Sequence, residues 1–574
     1  MDQVPDYEHV NTCLCDGIRY GVVLAEDRLQ LRVGPDSPGQ LCPEGLNKEY
    51  LFADILSVKI IVSEVEEPSS ASSVLSRLDF FPFRNASPSP RQNTTNQSKI
   101  VLCIARRREP CKWRPHSLIL TTENLAFGQQ LCDSLKETIA GSSNRPKRLM
   151  FFVNPVSGGG CALKIFEKRV IPILRMVDTR FSYIVTTHAG HAKQWLLQEP
   201  WKAEGYDGLI AVGGDGIFNE CLEGFIRSEQ DEDVTVTSDL TPSATATLGI
   251  IPAGSTDSIG YCIGLGDACS ALIHVLLGRS MKLDVGAVFQ EASGCLLRFF
   301  CAFLGYGFFS DTLKTSEKRW LRRYFGKTRY TLAGAQTFFR NKSYDGHVTY
   351  KTGDANPCNS SSDLDPEYPD VGVFCAKDCT VCSVTDITSP EVPQSPNSPS
   401  SPDVFESTES PMLSSIEADT VELVGTSDTE VTTSSEDWNN ISDKFSNVIA
   451  VSLCCGSAKS PRGLAPASHC GDGRLDVLLV RAIGRVKLLN YLVSISRGIG
   501  PKRVLGKNLR AYRVSELIFR TTKKPKENEG GGREASMAVA STVWNCDGEI
   551  ITEADIHVKV YRQLITIFGS GREF

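Results

Sequence analysis

The sequence predicts a small β-rich domain, then an α/β lobe with a parallel sheet, then a β-sandwich lobe. Residues 148–275 alternate apolar strand-like runs with segments of helical period, which is typical of parallel sheets. Residues 8–140, and the chain from residue 283 onward, instead carry short strand-like runs separated by polar turns. A chain of 574 residues that is 41% apolar and 22% charged has enough apolar material for several cores.

The first predicted domain covers residues 1–140. Its strand-like runs are followed by residues 122–140, in which apolar side chains recur at helical spacing. Several strands followed by one amphipathic helix predict a pleckstrin-homology-like β domain, interrupted by a polar loop at residues 64–98. The strand-like runs occupy residues 18–23, 29–33, 51–62, 99–106 and 113–121.

Four successive strand-like runs in the second predicted part, residues 145–280, end in small, polar or glycine-rich turns. Such turns let backbone N–H groups approach a phosphate, and the helix start that follows favours its negative charge. Ligands of parallel sheets bind at the carboxyl ends of the strands, so the four turns predict a nucleotide site. The turns occupy residues 154–160, 186–189, 213–216 and 253–257. The G-x-x-x-x-G-K-[ST] spacing is absent, which excludes a Walker-type P-loop.

An acid, Asp215, lies within the third of these turns, between Gly214 and Gly216. A carboxylate repels a bound phosphate, so its position here is explained if it holds Mg²⁺ or accepts a proton from an attacking hydroxyl. The alternative interpretation is a tight turn in which Asp215 caps the next helix.

The chain from residue 281 is predicted to form the β-sandwich lobe in two parts, residues 281–382 and 446–574. The acidic insertion between them, residues 383–445, is rich in Ser, Thr and Pro and is predicted to be disordered. It holds thirteen acids and one lysine, so the remainder carries a net charge of about +5 although the whole chain carries −7. This mild bias suits nucleotide phosphates and anionic lipid surfaces, and it is too weak to predict nucleic-acid binding.

The N-terminus and the apolar runs predict a cytoplasmic protein, which must reach membranes peripherally if its substrate is a lipid. The first ten residues are polar and acidic, which predicts no secretory leader, and no apolar run reaches 18 residues. The 20 cysteines are then expected to be reduced thiols. Arg106, Arg107 and Arg108 are candidates for contacting a phosphoinositide head group, with a solvated edge strand as the alternative.

Cys375, Cys379 and Cys382 follow a C-x₃-C-x₂-C spacing. Three close thiols suit a soft metal such as Zn²⁺, which then needs a fourth ligand from elsewhere in the chain. The alternative is a group of reduced, partly buried thiols without metal. Candidates for the fourth ligand are Cys358, Cys454, Cys455 and His469.

The motifs NPVSGGG, TTHA, GGDG with Glu220, and PAGSTD occur in this order from residue 154. Their order resembles the diacylglycerol-kinase catalytic superfamily. Within it the chain is identified as a member of the ceramide kinases, with a plant member expected. The resemblance is specific from about residue 148 to the C-terminus and looser over residues 1–140. The closer match rests on IIPAGSTDS, LGYGFFSD, SEKRW, CAKDCTVC, SPRGLAP and WNCDGE.

The resemblance implies roles for individual residues. Asp215 is expected to be the general base, with Gly213, Gly214 and Gly216 of the same turn at the lipid substrate. The turn at residues 547–549 is expected to return to the active site and help to hold the metal–nucleotide complex. The residues expected to bind ATP are Asn154, Pro155, Val156, Ser157, Gly158, Thr186, His188, Glu220, Gly254, Ser255, Thr256, Arg323, Arg329, Asp547, Gly548 and Glu549.

Some of these expectations have alternatives. Glu220 is otherwise an exposed carboxylate near a helix start, favoured there by the helix dipole. Arg323 and Arg329 are expected to contact phosphates, but Arg319 or Arg322 could take the first of these two roles. A run of charges such as this one is otherwise a solvated helix face.

The resemblance implies an ATP-dependent lipid kinase that converts ceramide to ceramide 1-phosphate. Sphingosine or diacylglycerol is the alternative substrate, and a non-catalytic ceramide-binding protein is the alternative from another class. Mg²⁺ is expected with ATP, Ca²⁺ is a candidate activator, and the plasma membrane, Golgi and endoplasmic reticulum are candidate membranes. An NAD kinase also uses a GGDG turn, but the N-terminal β domain and the cysteine cluster argue against it.

Overall fold

The computed structural model describes residues 12–33, 47–62, 98–142, 144–177, 179–198, 201–230, 233–243, 245–254, 256–325, 328–352, 375–383, 438–458, 460–522 and 542–573. Ser255, Cys358 and almost all of the two segments predicted as a polar loop and a disordered insertion lie outside these residues.

The N-terminal part forms one antiparallel sheet of seven strands, in the order β4-β3-β2-β1-β7-β6-β5. A single helix, α1 (Leu125–Ala140), packs on β5 and β6 through buried Phe127, Leu131 and Leu135. The Asn124 side chain caps this helix by accepting a hydrogen bond from the Phe127 backbone N–H at 3.0 Å. The strands are β1 (Thr12–Cys15), β2 (Ile18–Leu24), β3 (Arg28–Val33), β4 (Lys48–Leu51), β5 (Ile55–Val62), β6 (Ser98–Glu109) and β7 (Lys112–Thr122).

The predicted β-rich domain is therefore present, with two differences in its strands. Strand β1 was not predicted, because four residues are too short a run to show a period. The predicted strand at residues 51–62 is interrupted by a 3₁₀ turn, Phe52–Asp54, which separates β4 from β5.

The α/β lobe is built on four parallel strands in the order β9-β8-β10-β11. The chain moves outward from β8 to β9 and then returns to the other side of β8, so the order reverses between β8 and β10. Ligands of open parallel sheets bind at the carboxyl ends of the strands beside such a reversal. The strands are β8 (Arg148–Val153), β9 (Arg180–Val185), β10 (Gly208–Gly213) and β11 (Thr247–Pro252), and each ends within one residue of the predicted start of the turn that follows it.

Helices cover both faces of this sheet, and the core between them contains buried Phe151, Phe166, Phe218 and Phe225. A π-helical segment, Phe166–Val170, joins α3 to α4. The helices are α2 (Ser157–Gly160), α3 (Ala162–Ile165), α4 (Ile171–Val177), α5 (His191–Gln198), α6 (Asp215–Ser228), α7 (Ser258–Cys262) and α8 (Ala268–Leu276).

The second lobe is mostly antiparallel, and its sheet is continuous with the parallel strands. The last strand pairs in parallel with β11 at Ile567 and Leu248, and antiparallel with β12 along its length. The strands are β12 (Ser280–Gln290), β13 (Leu296–Phe300), β14 (Phe303–Gly307), β15 (Tyr344–Lys351), β16 (Trp438–Val451), β17 (Leu475–Arg481), β18 (Leu509–Val514), β19 (Glu516–Thr521), β20 (Trp544–Cys546), β21 (Glu549–Ile551) and β22 (Ile556–Phe568).

Helices that the strand pattern did not predict occur in this part of the chain, and four of them, the first, third, fifth and sixth in chain order, cover one face of the lobe. Their core contains Ile449 and Val451 of β16, whereas Val448 and Ala450 of the same strand face a second core. Both faces of β16 are thus buried. The helices are α9 (Phe308–Ser316), α10 (Arg319–Phe325), α11 (Arg329–Arg340), α12 (Thr380–Ser383), α13 (Arg485–Ser496) and α14 (Pro501–Leu505).

Strand β16 corrects the predicted end of the disordered insertion, residues 383–445. It begins at Trp438 and pairs with β15 from its first residue. Ile441 and Phe445 are buried on one face of the strand, while Ser442 and Lys444 are exposed. The polar residues of residues 438–445 thus occupy the solvent face of a half-buried strand, which composition alone cannot distinguish from a polar linker.

The N-terminal sheet packs directly on the α/β lobe. The Trp113 backbone N–H donates to Ser270 Oγ at 2.9 Å, and Arg114 makes a two-bond contact with the carboxylate of Asp267. Leu56 and Cys103 of the N-terminal sheet belong to the apolar core of the α/β lobe. In the described part of the chain, no helix has the length and apolar character that crossing a bilayer requires.

Candidate active site

Three turns meet at the carboxyl edge of the parallel sheet, and they meet through glycine backbone. A Cβ atom added to Gly158, in the turn after β8, would lie 2.2 Å from the carbonyl oxygen of Ala253. A Cβ atom on Gly254, in the turn after β11, would lie 2.6 Å from the Cα atom of Gly214. Side chains at these positions would separate the turns, so glycine is required for the contact.

The turn after β8 is held by hydrogen bonds from its own backbone N–H groups and contains a run of three glycines. The backbone N–H of Asn154 donates to the Val212 carbonyl at 3.0 Å, which ties this turn to β10. The Asn154 side chain accepts from the Val156 N–H at 3.1 Å. Residues 158–160 are all glycines with φ of 61°, 75° and 85°. The backbone changes from right-handed at Ser157 to left-handed at Gly158, and such a change of hand makes an anion-binding concavity of backbone N–H groups.

Asp215 is held at the centre of the three turns, at the first position of α6. Its two carboxylate oxygens accept hydrogen bonds from the backbone N–H groups of Ser258 and Ile259, both at 3.0 Å. Burial raises the pKa of Asp215, and the two N–H donors offset part of that rise. Asp215 therefore does cap a helix, α7, rather than the helix on which it lies. Each oxygen keeps a lone pair for a further partner.

Two further carboxylates share the electrostatic environment of Asp215. Asp257 accepts from the Gly254 N–H at 2.8 Å, and burial together with the charge of Asp215 raises its pKa to about 6. Asp547 accepts from the backbone N–H groups of Cys301 and Phe303 at 2.8 and 2.7 Å. Burial, and to a lesser extent Asp215, raises the pKa of Asp547 to about 6. Oxygen donors of this kind are the ligands that Mg²⁺ prefers.

Glu220 lies one and a half turns after Asp215 on α6 and faces the start of α5. Burial raises its pKa, and the backbone N–H groups of Gly190 and Ala192 oppose that rise. Within the described residues, its Oε2 atom is buried and has no hydrogen-bond partner. A buried oxygen without a donor is costly unless a ligand supplies one, so Glu220 is more than a solvated helix-start carboxylate.

The turn after β9 completes this edge of the sheet, because β9 is the neighbour of β8. Thr186 is buried, and its backbone N–H donates to the Val153 carbonyl at 2.8 Å. His188 is exposed, its Nε2 atom lies 3.1 Å from Gln194 Oε1, and its ring stacks on His191 at 4.9 Å. Thr186 thus positions the turn, and His188 lies at its exposed rim, where its Nδ1 atom is 2.9 Å from Thr187 Oγ1.

The contacts of the two predicted phosphate-binding arginines are local. Arg329 pairs with Glu317 at 3.1 Å and donates to the Tyr330 hydroxyl at 2.7 Å. The Arg323 guanidinium lies 5.9 Å from the ring centre of Tyr324. Among the described residues, neither arginine is joined by these contacts to the glycine-rich turns.

The remaining predicted residues lie at the rim or in the turn between β20 and β21. Thr256 is exposed beside Asp257, and Pro155 and Ser157 lie in the turn after β8. Gly548 has φ of 90°, and its N–H donates to Asn545 Oδ1 at 2.9 Å, which closes the turn that presents Asp547 and exposed Glu549.

Sequence reasoning missed two contributors to the site. Asp257 fixes the turn after β11, because its side chain accepts a hydrogen bond from the backbone N–H of Gly254, three residues earlier. Asn219 is buried on α6, and its Nδ2 atom donates to Asp547 at 3.2 Å. No sequence pattern indicates a contact between residues so far apart in the chain.

A second cluster brings the three predicted cysteines together with His469. One ligand atom from each of Cys375, Cys379, Cys382 and His469 lies within 4.8 Å of the others. Cys379 Sγ is 3.2 Å from His469 Nδ1, and Cys375 Sγ is 3.3 Å from Cys470 Sγ, a neighbour that sequence reasoning missed. Hydrogen bonds from the thiols of Cys382 and Cys470 lower the pKa of Cys375 to about 5.

The other two described candidates for the fourth ligand face elsewhere. Cys454 Sγ lies 3.4 Å from Cys262 Sγ, and the Cys455 thiol donates to the Ala302 carbonyl at 3.3 Å. Three thiols and an imidazole form a donor set that Zn²⁺ binds in tetrahedral structural sites. Gln563 supports the cluster, because its Nε2 atom donates to the carbonyl oxygens of Cys382 and Gly471 at 2.8 and 2.9 Å.

Comparison with known proteins identifies relatives over most of the chain. The family model for the diacylglycerol kinase catalytic domain matches residues 148–288, and that for the ceramide kinase C-terminal domain matches residues 406–573. The human protein named ceramide kinase is 31% identical, covering 82% of this chain and 82% of its own length. The mouse ceramide kinase is 30% identical, with coverage of 78% and 79%. The Arabidopsis thaliana ceramide kinase is 25% identical, with coverage of 81% and 80%.

Gly158→Ala is expected to damage the site more than Gly160→Ala. Both glycines have a left-handed backbone, which costs an L-residue roughly 1–2 kcal/mol. Only at Gly158 would the new methyl group meet a backbone oxygen, because a Cβ atom on Gly160 has nothing within 4 Å. Gly158→Ala should therefore show the larger rise in KM for ATP and the larger fall in melting temperature. Equal effects of the two substitutions would contradict a contact role for Gly158.

Proposed function

This chain belongs to the ceramide kinase family, and we propose that it transfers the γ-phosphate of ATP to the primary hydroxyl of ceramide. The products are ceramide 1-phosphate and ADP. The observation that carries this proposal is the half-buried Asp215 carboxylate, held by two backbone N–H groups where three glycine-rich turns meet. A carboxylate that only capped a helix would not need to lie inside an anion-binding group of turns.

The turns bind the nucleotide. In this proposal the phosphates lie against the glycine run of residues 158–160. The N–H groups of Asn154, Val156 and Gly254 donate within the protein and hold the turns in place. Glu220 accepts a hydroxyl of the nucleotide through its unpartnered oxygen. Asp547, with Glu549 of the same turn, would hold Mg²⁺, which neutralises phosphate charge when it is bound. Arg323 and Arg329 contact phosphates in this proposal, and Arg329 must then exchange Glu317 for the nucleotide.

Asp215 removes the proton of the lipid hydroxyl. As the hydroxyl oxygen bonds to the γ-phosphorus, its proton passes to a carboxylate oxygen of Asp215, and the bond from the γ-phosphorus to the bridging oxygen breaks. Burial keeps the pKa of Asp215 above that of an ordinary Asp, which makes it a better base. The Ser258 and Ile259 N–H groups fix its direction, so little reorganisation is needed during reaction.

A panel of lipids tests the proposed substrate. Purified protein with labelled ATP should phosphorylate ceramide in mixed micelles faster than sphingosine or diacylglycerol, and should be inactive without a divalent metal. Equal or faster reaction of either competitor would move the assignment to that lipid. Ceramide binding without product would instead indicate a non-catalytic member of the family. The same assay with and without Ca²⁺ tests the predicted activation.

Asp215→Asn should lower kcat by at least about 10²-fold, because asparagine cannot accept the proton. Asp267→Asn is the matched control, since Asp267 also caps a helix, by accepting from the Ser270 N–H at 2.9 Å, and lies outside the turns. Comparable kcat values for the two variants would show that Asp215 acts only as a helix cap and not as the general base.

The same residue predicts the pH dependence. Asp215 acts as a base only when deprotonated, and its pKa is raised, so kcat of the wild type should fall with decreasing pH earlier than for an ordinary Asp. The residual activity of Asp215→Asn should lack this acid limb. Measurement of kcat against pH for both proteins checks this.

Zn²⁺ is proposed as the occupant of the cysteine cluster, with a structural role. The purified protein should contain a single zinc ion per chain, and Cys379→Ser and His469→Ala should each lose it and lower the melting temperature. Cys161→Ser is the control, because Cys161 is exposed and outside the cluster. Metal-free wild-type protein, or full zinc in Cys379→Ser, would contradict the site.

The N-terminal domain is proposed to be a pleckstrin-homology-like unit that helps to bring the enzyme from the cytoplasm to a membrane. The three arginines at residues 106–108 are not equally available to a lipid head group, because Arg107 pairs with Glu573 of the catalytic part at 3.1 Å. Arg106 and Arg108 are exposed and are the contacts for an anionic or phosphoinositide head group in this proposal. The second lobe is proposed to be the β-sandwich lobe of the family.

A further inference from the structure

Two helices of the second lobe, α11 and α13, expose apolar side chains to solvent. On α11, Leu332, Ala335 and Phe339 follow one another at spacings of three and four residues, so they share one helix face, and all three are exposed. On α13, Val486 and Leu489 are exposed at a spacing of three. Phe339 and Val486 are 69% and 77% exposed, so neither contributes to a core of the chain.

Hydrogen bonds join the C-terminal end of α11 to the N-terminal end of α13. Nε and Nη2 of Arg485, the first residue of α13, donate to the Phe339 carbonyl at 3.1 and 2.8 Å. Asn341 Nδ2 donates to the Ile483 carbonyl at 2.8 Å. The C-terminal end of α11 is thus fixed beside the start of α13. Together the exposed side chains form the α11–α13 face, defined as Leu332, Ala335, Phe339, Val486 and Leu489.

The two chain segments that carry this face contain cations and no acids. Residues 318–344, which contain α10 and α11, hold eight Lys or Arg and no Asp or Glu. Residues 477–515, which contain α13 and α14, hold nine Lys or Arg and no Asp or Glu. In the part of the chain that the structure describes, Arg329, Arg481 and Arg513 are among the cations that pair with acids outside the two segments. The whole chain carries a net charge of −7, so the concentration of cations in these two segments is a local feature of the helical surface.

We propose that the α11–α13 face docks on an anionic lipid bilayer. The inference rests on the proposed function, because a ceramide kinase must reach a substrate that resides in a bilayer. A bilayer supplies both an apolar interior for Phe339 and Val486 and negative head groups for the surrounding cations. The exposed aromatic rings of Trp320 and Tyr324 on α10 add residues that favour the membrane–water interface.

The charge pattern excludes the other simple occupants. A second copy of this chain on the same face would place cations against cations, which is unfavourable in a symmetric interface. A nucleic acid would satisfy the cations but would leave the apolar side chains of the α11–α13 face in contact with water and phosphate. An anionic bilayer is the partner that matches both properties of the surface.

Sedimentation with vesicles tests the apolar contribution, using phosphatidylcholine alone and phosphatidylcholine mixed with an equal amount of phosphatidylserine. The wild type should bind the mixed vesicles more tightly. The triple variant Phe339→Ser/Val486→Ser/Leu489→Ser should bind them at least roughly tenfold more weakly. Leu197→Ser is the matched control, because Leu197 is a helical leucine that is 46% exposed, against 49% for Leu489. It should bind like the wild type.

Charge reversal gives an independent second arm, should the triple variant fold poorly. Arg340→Glu/Lys342→Glu changes two exposed cations beside Phe339, and each removed cation should weaken binding to anionic vesicles roughly fivefold. Lys168→Glu/Arg175→Glu makes the same change on the α/β lobe, where it should have little effect.

The readouts separate this inference from the proposed reaction. Binding is measured without ATP or ceramide, so a failure of kinase activity leaves the vesicle result standing. With an active enzyme, turnover of a short-chain dispersed ceramide should stay within twofold while turnover of vesicle ceramide falls with binding. Unchanged vesicle binding by both α11–α13 variants overturns the proposal. So does a loss confined to Arg106→Glu/Arg108→Glu, which would assign docking to the N-terminal domain, or a dimer in solution that the triple variant dissociates.

Discussion

The site depends on three peptide segments that approach one another more closely than any side chain would permit. Gly158 contacts the backbone at Ala253, and Gly254 contacts the backbone at Gly214. These two contacts form one side of the crevice between β8 and β10, where the strand order reverses. They also place Asp215 against the start of α7. Without them, the strands would still form a sheet, but their turns would not form one binding surface.

The second constraint is electrostatic. Asp215, Asp257 and Asp547 are held by backbone N–H groups in a poorly solvated region, and Asp215 raises the pKa of the other two. Carboxylates this close together repel one another, so either some of them are protonated or a cation neutralises part of their charge. A metal–nucleotide complex supplies positive charge at the place where the protein supplies negative charge. The helical segments of the second lobe concentrate positive charge from the protein itself, and of these cations only Arg323 and Arg329 are proposed to contact the phosphates.

A continuous sheet connects these two regions. Strand β22 pairs with β11 of the parallel sheet and with β12 and β19 of the antiparallel one, so the two lobes share hydrogen-bonded backbone. Asp547 reaches the site because β20 pairs with β14, at whose first residue the Asp547 carboxylate accepts an N–H. The N-terminal domain is fixed to the same body through Arg114 and Arg107. A surface that orients the second lobe on a membrane would therefore orient the active site as well.

The sequence by itself determined the local elements and most of the local chemistry. The four parallel strands, the glycine-rich turns and the cysteine spacing lie where the patterns predict them, because each depends on residues within a few positions of one another. The strand pattern failed for α9–α11 and for the start of β16, where burial of one face, rather than composition, decides the structure.

Only the tertiary structure decided which distant residues meet. His469 was one of four candidates for the fourth ligand of the cysteine cluster, and the fold places it against Cys379, which lies 90 residues earlier in the chain. Asn219 and Asp547 are 328 residues apart, and no local pattern relates them. Asp215 could have capped its own helix, but it holds α7 instead. Such contacts follow from strand order and packing, and those arise from the sum of many weak interactions rather than from any short stretch of sequence.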